Sequence, residues 1–99
     1  MASKLRRSSG NVFRDLGFRE GEAENLRIRS ELMARLRKLI ADEGLTQARA
    51  ARVLGVSQPR VSDLVRGRIE LFSIDMLVNM LAKAGVRVTV TARARPRAA

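Results

Sequence analysis

The apolar residues of this 99-residue chain recur with helical spacing over most of its length. Four helices are predicted, over residues 22–43, 47–54, 58–66 and 74–84. The longest carries apolar residues three or four positions apart, at Leu32, Leu36, Leu39 and Ile40. Such a stripe covers one face of a helix, so this helix is expected to pack on a core with that face.

Residues that begin and end helices stand at the predicted boundaries. Thr46, Ser57 and Ser73 are predicted N-caps, because their hydroxyl oxygens accept hydrogen bonds from the free amides of a first turn. Glycines follow the last turns, at Gly44, Gly55, Gly67 and Gly85. Glycine adopts the left-handed conformation that commonly ends a helix.

The C-terminal segment alternates apolar and polar residues between Val86 and Ala92, which predicts a short β-strand. Val86, Val88 and Val90 would share one face of it. A single strand leaves its backbone groups unpaired, so it needs a neighbour. The N-terminal segment 12–18, a second copy of the chain or another protein are alternatives, and packing as an extended tail is a fourth.

The N-terminal 21 residues form a basic arm with an apolar anchor at Phe13, Leu16 and Phe18. This arm is too short for a core of its own and must pack on the domain or on a partner. We therefore divide the chain into the arm, a helical domain over 22–85 and a C-terminal strand and basic tail over 86–99.

Within the helical domain, residues 46–66 have the spacing of a helix-turn-helix. Ala51 supplies a small residue in the first helix and Gly55 a turn, and Val61, Leu64 and Val65 are expected to face inward. The predicted fold is mostly α, a helix-turn-helix bundle of four to five helices with a short C-terminal β-strand. In such a unit the second helix enters the major groove of DNA.

The predicted helix over 58–66 turns its apolar residues inward, so its polar residues lie on the outer surface and are available to DNA. The candidate base contacts are Gln58, Pro59, Arg60 and Asp63. Glutamine can pair with adenine, arginine with guanine or a phosphate, and aspartate with the cytosine amino group. The candidate phosphate contacts are Thr46, Gln47, Ser62, Arg66 and Arg68. An ion pair or hydration is the alternative for Asp63.

Composition supports a polyanionic partner. The chain has 20 basic and 10 acidic side chains, a net charge of +10. Residues 44–69 carry five basic and one acidic side chain, and both chain ends are also basic, whereas the segments between them are near neutral. Such an excess favours nucleic acid through counterion release. A solvated basic surface is the simpler alternative.

Other classes of function find little support in the sequence. The absence of Cys and His excludes disulfides, zinc fingers and histidine acid–base chemistry. No nucleophile, base and orienting group assemble, so neither an enzyme nor a cofactor is expected. No apolar run reaches the roughly 18 residues of a membrane span and no signal peptide is recognised, so we expect a cytoplasmic protein without membrane contact.

The segment LTQARAARVLGVSQPRVSDLVRGR (Leu45–Arg68) resembles the lambda-repressor-like, XRE-type helix-turn-helix, which implies a lambda-repressor-like fold for the helical bundle. Together with SSGNVFRDLGF (Ser8–Phe18), the run Gly55–Leu77 and the predicted β tail, it is similar to HigA-like antitoxins of bacterial toxin–antitoxin operons. This resemblance implies a nucleoid-associated homodimer on an inverted repeat at its own promoter, which also silences a RelE/HigB-like toxin.

The resemblance also assigns residues. The groove-facing positions of the family correspond to Gln58, Pro59, Arg60 and Asp63, and its phosphate contact at the start of the first helix of the unit corresponds to Gln47. The family commonly has Glu at the position of Arg49, where it would close a capping box. Arg49 cannot do so, and its charge opposes the helix dipole.

Several interpretations remain open. The first is an antitoxin that represses its own operon, with Phe13, Leu16 and Phe18 as the candidate toxin contact. Packing of these three residues on the long helix is the alternative. A stand-alone repressor without a toxin shares the same DNA unit, and an architectural protein that binds DNA regardless of sequence is disfavoured by the Gln and Arg at the groove.

Overall fold

The structure is a computed structural model that describes residues 11–94. Five α-helices lie in this part of the chain: α1 (Val12–Asp15), α2 (Glu20–Asp42), α3 (Gln47–Leu54), α4 (Gln58–Val65) and α5 (Ile74–Lys83). A 3-10 turn, Ile69–Leu71, connects α4 to α5. The mostly α prediction with four to five helices is confirmed. The first ten residues of the predicted arm and the last five of the tail lie outside the described residues.

Side-chain caps set the starts of three helices as predicted. The hydroxyl of Thr46 accepts a hydrogen bond from the Arg49 amide at 3.1 Å. Ser57 accepts from the Arg60 amide at 3.3 Å, and Ser73 accepts from the Met76 amide at 3.1 Å. Each bond satisfies one amide that the first turn of a helix leaves without an intrahelical partner.

One core joins α2, α3, α4 and α5. Its buried residues are Met33, Leu36, Ala50, Leu54, Val61, Leu64, Phe72, Leu77, Met80 and Leu81. Phe72 is the largest of these side chains, and it enters the core directly after the 3-10 turn. The position of this turn is therefore tied to the packing of the whole bundle.

The expectation that Val65 faces inward is wrong, because its side chain is 45% exposed. Val61 and Leu64 are fully buried and form the inner stripe of α4. At about 100° per residue, Val65 lies roughly 70° from the middle of that stripe, at its edge. The valine therefore adds apolar surface to the outside of the bundle.

The predicted strand over Val86–Ala92 is also wrong for the single chain, since residues 86–94 are neither helix nor strand. Alternation of apolar residues indicates a sheet face, but a strand forms only beside a second row of backbone groups. The segment 12–18 cannot supply that row, because α1 occupies residues 12–15. Val86 and Val88 pack against the core, and Val90 is 84% exposed.

The N-terminal segment packs on the domain through α1. The buried side chain of Asn11 accepts hydrogen bonds from the amides of Phe13 and Arg14, at 3.0 and 3.3 Å. Its amide nitrogen donates to the carbonyl of Ala23 in α2, at 3.2 Å. A single asparagine thus caps α1 and fastens it to α2, a contact that apolar periodicity does not reveal.

Candidate nucleic-acid interface

Helices α3 and α4 meet at a turn that requires glycine. Gly55 has φ of +68°, in the left-handed region. A Cβ at this position would lie 3.2 Å from Cε of Lys83, so a side chain here would also displace the Lys83 side chain. Ala50 of α3 is fully buried, whereas Ala51 is only partly buried beside the core. Both alanines keep α3 close to its neighbours.

The outer surface of α4 presents the predicted base contacts in sequence order. Gln58 and Pro59 are exposed in the first turn, and Ser62 and Asp63 are half-buried one turn later. Residues four apart share a helix face, so Gln58 lies above Ser62 and Pro59 above Asp63. This face is polar and points away from the buried stripe of Val61 and Leu64.

The predicted phosphate contacts border this face. Thr46 and Gln47 are exposed at the start of α3, where the amides of the first turn and the helix dipole favour an anion. Arg66 and Arg68 are exposed directly after α4. Nε of Arg68 lies 3.4 Å from a carboxylate oxygen of Glu70. Cationic groups thus lie at the C-terminal end of α4 and free amides at the N-terminal end of α3.

Arg60 has a role within the protein that the sequence did not indicate. One of its guanidinium nitrogens, Nη1, donates to the carbonyl of Leu71 at 3.1 Å. The guanidinium carbon lies 5.4 Å from the centroid of the Phe72 ring, a cation–π distance. Arg60 therefore joins α4 to the end of the 3-10 turn, and only its other N–H groups are left for a base or a phosphate.

A second arginine, from α2, donates to the same turn. Nη1 of Arg29 in α2 donates to the carbonyls of Ile69 and Phe72, at 3.1 and 3.2 Å. Its Nε donates to the side chain of Asn25 at 2.6 Å. Sequence reasoning missed this contact, because the two carbonyls lie 40 and 43 residues away along the chain. Arg29 and Arg60 together fix the segment that carries Phe72 into the core.

The N-terminal half of α2 is electrostatically different from the candidate interface. Arg27 forms ion pairs with Glu24 and Glu31, at 2.8 and 2.7 Å. The hydrogen bond that Arg27 donates to Glu24, reinforced by the charges of both glutamates, raises the pKa of the Arg27 guanidinium. These carboxylates neutralise Arg27, whereas Arg66, at the end of α4, forms no ion pair within residues 11–94.

Over residues 11–94, no group of three or more Asp or Glu side chains is placed to hold a metal ion. No helix in the same range is both long and apolar enough to cross a membrane.

Comparisons with known proteins agree with this geometry. A family described as a helix-turn-helix domain matches residues 12–93 of the chain. A solved structure described as an XRE family transcriptional regulator is 35% identical in sequence and superposes with a TM-score of 0.70. The match covers 79% of this chain and 90% of that protein. None of the curated proteins matches the chain. The chain therefore belongs to the XRE family of helix-turn-helix transcriptional regulators.

Proposed function

We propose that this protein is a sequence-specific transcriptional repressor that places α4 in the major groove of duplex DNA. The observation that carries the proposal is the α3–Gly55–α4 unit itself. Its inner face is fully buried at Val61 and Leu64, and its outer face is polar and bordered by Arg66 and Arg68. A helix held in this way by the core presents its first turn to base edges.

Each exposed residue of α4 then has a specific role. Gln58, in the first turn, pairs with adenine N6 and N7. Pro59 makes apolar contacts beside it, and Asp63 accepts from a cytosine amino group. Arg60 uses Nε and Nη2 toward a guanine or a phosphate while Nη1 stays on Leu71. Because one side of its guanidinium is fixed, Arg60 reaches DNA with little loss of conformational entropy.

Phosphate contacts on either side of α4 set its register in the groove. The Thr46 hydroxyl occupies the Arg49 amide, which leaves the amides of Gln47 and Ala48 for a phosphate oxygen. Ser62 and Arg66 follow Gln58 at successive turns and bind the next phosphates along the strand, together with Arg68. These contacts supply affinity, and the α4 side chains supply specificity.

The repressor acts as a homodimer on an inverted repeat, and we assign the C-terminal segment to the dimer contact. Val90 is 84% exposed, and residues 86–94 form no strand in the single chain. A second copy offers the missing row of backbone donors and acceptors. Pairing of the two segments would place Val86, Val88 and Val90 on a shared face.

We further propose an antitoxin role, in which the protein neutralises a RelE/HigB-like toxin made from the same operon. The support is an exposed apolar surface on the N-terminal segment. Leu16 is 70% exposed, and Val12 and Phe18 are 41% and 42% exposed. Phe13 is half-buried and supports Phe18 by an edge-to-face contact of 6.2 Å between ring centroids. Leu16 and Phe18 are the residues for a toxin to cover.

The toxin contact is tested by co-expression with the product of the adjacent gene. Co-purification that is lost on the Leu16→Asp substitution supports the antitoxin role, and Arg19→Gln is a control that makes the same one-unit change in net charge on this segment. Recovery of only DNA and a second copy of the chain would instead select a stand-alone regulator of phage or chromosomal origin.

DNA binding is tested by fluorescence anisotropy with the DNA upstream of the protein's own gene. The proposal expects this fragment to bind at least about 10³-fold more tightly than a random duplex of equal length, at physiological salt. Equal affinity for the two duplexes would contradict sequence-specific repression and favour an architectural protein.

A further inference from the structure

The long helix α2 brings Arg37 to the end of α4, where Arg66 and Arg68 also lie. Arg29, Met33 and Arg37 are spaced by four residues and therefore lie along one face of α2. Arg29 on this face contacts the 3-10 turn, and Met33 is buried. Arg37 lies two helical turns beyond Arg29, where the same face of α2 passes the residue that follows α4.

The position of Arg37 is fixed relative to Gly67. A Cβ on Gly67 would lie 3.0 Å from Nη1 of Arg37, so the guanidinium sits directly against this backbone. Gly67 has φ of +76° and separates Arg66, which ends α4, from Arg68, which precedes the 3-10 turn. The three arginines come from α2, from α4 and from the loop after it, and we call them the Arg37–Arg66–Arg68 cluster.

The charges of this cluster are poorly compensated within the protein. Within residues 11–94 the cluster forms a single ion pair, in which Arg68 lies 3.4 Å from Glu70. Two other cations on α2 are neutralised, because Lys38 pairs with Asp42 at 2.8 Å and Arg27 pairs with two glutamates. Like charges held together without carboxylates destabilise the free protein and favour a bound anion.

We infer that Arg37 is a DNA-contacting residue, which binds the same stretch of phosphate backbone as Arg66 and Arg68. This inference rests on the proposed DNA-binding function and extends the interface from the helix-turn-helix to α2. A planar guanidinium forms two parallel hydrogen bonds to a phosphate. Because Gly67 has no side chain, the Arg37 guanidinium has room for such a contact. No sequence pattern indicated this contact, since Arg37 is nine residues before Thr46 and outside the helix-turn-helix.

The test compares Arg37→Gln with Arg35→Gln. Both variants remove one exposed positive charge from α2, but the two positions lie about 200° apart around the helix axis. The salt dependence of operator binding counts the phosphates that are neutralised, with a slope of log K against log[salt] of about −0.9 for each. Anisotropy titrations from about 50 to 200 mM salt measure this slope.

We expect Arg37→Gln to reduce the magnitude of the slope by about 1. Over this fourfold change in salt, the loss of affinity of the variant should therefore be about 3-fold smaller than the loss of affinity of the wild type. Arg35→Gln should change the slope far less, and Arg37→Lys should restore most of it. The loss of affinity caused by Arg37→Gln should be equal on the operator and on a random duplex, because phosphate contacts carry no sequence information.

Equal slopes for Arg37→Gln and Arg35→Gln would overturn the inference while leaving the proposed function intact. A wild-type protein that binds no duplex would instead refute the proposed function and this inference together. Circular dichroism melting of each variant checks that the fold is unchanged, which we expect because both side chains are exposed.

Discussion

Replacing Arg60 by alanine should destabilise the protein in the absence of DNA. A residue whose only role is to contact a base can be truncated without cost to the free protein. In this structure the Arg60 guanidinium donates to the Leu71 carbonyl at 3.1 Å and lies over the Phe72 ring at 5.4 Å. Truncation removes both contacts and releases the segment that delivers Phe72 to the core.

The size of the effect follows from these two contacts. A hydrogen bond from a charged donor contributes about 1.5–3 kcal/mol, and the lower end applies because the bond to Leu71 is exposed to water. A cation–π contact near the surface adds about 0.5–1 kcal/mol. The free energy of unfolding should therefore fall by about 2 kcal/mol. For a domain of this size each kcal/mol lowers the melting temperature by roughly 4–8 °C.

Urea denaturation followed by circular dichroism measures this loss. Arg66→Ala is the matched control, since it removes an arginine from the end of the same helix whose side chain forms no hydrogen bond or ion pair within residues 11–94. We expect a change of less than about 0.5 kcal/mol for this control. An Arg60→Ala variant as stable as the control would refute the structural role of Arg60.

Three other substitutions or deletions have defined outcomes. Gly55→Ala should cost about 1–3 kcal/mol of folding stability in a melting experiment, because φ is +68° and Lys83 lies in the way, whereas Gly21→Ala, in a helix with free space around it, should not destabilise. Asn11→Ala should release α1 from α2, which hydrogen exchange of the α1 amides would report as lost protection. Deletion of residues 86–99 should weaken dimerisation and operator affinity together in sedimentation and anisotropy, and an unchanged dimer would place the interface elsewhere.

The helix-turn-helix was predictable from sequence because its boundaries depend on local chemistry. Thr46 and Gly55 delimit α3 through a hydroxyl cap and a left-handed turn, so α3 begins and ends where the pattern placed it. The end of α4 differs by one residue, since Arg66 serves as its C-cap. Local signals of this kind need no knowledge of tertiary contacts.

Features that depend on distant residues were not predictable. Arg29 reaches carbonyls 40 and 43 residues away, and Arg60 reaches one 11 residues away, which spacing does not reveal. The helix α1 has four residues and depends on the contact of Asn11 with Ala23. The alternation in Val86–Ala92 indicated a strand, but residues 11–94 of the single chain offer it no pairing partner.

The central claim is that the first turn of α4 reads base edges, and NMR titration of the protein with its operator tests it directly. Amide resonances of residues 57–63, and of 46–49 at the start of α3, should shift most and saturate at one chain per half-site. Specific shifts confined to α1 and the N-terminal half of α2, with the α4 amides unchanged, would contradict the claim.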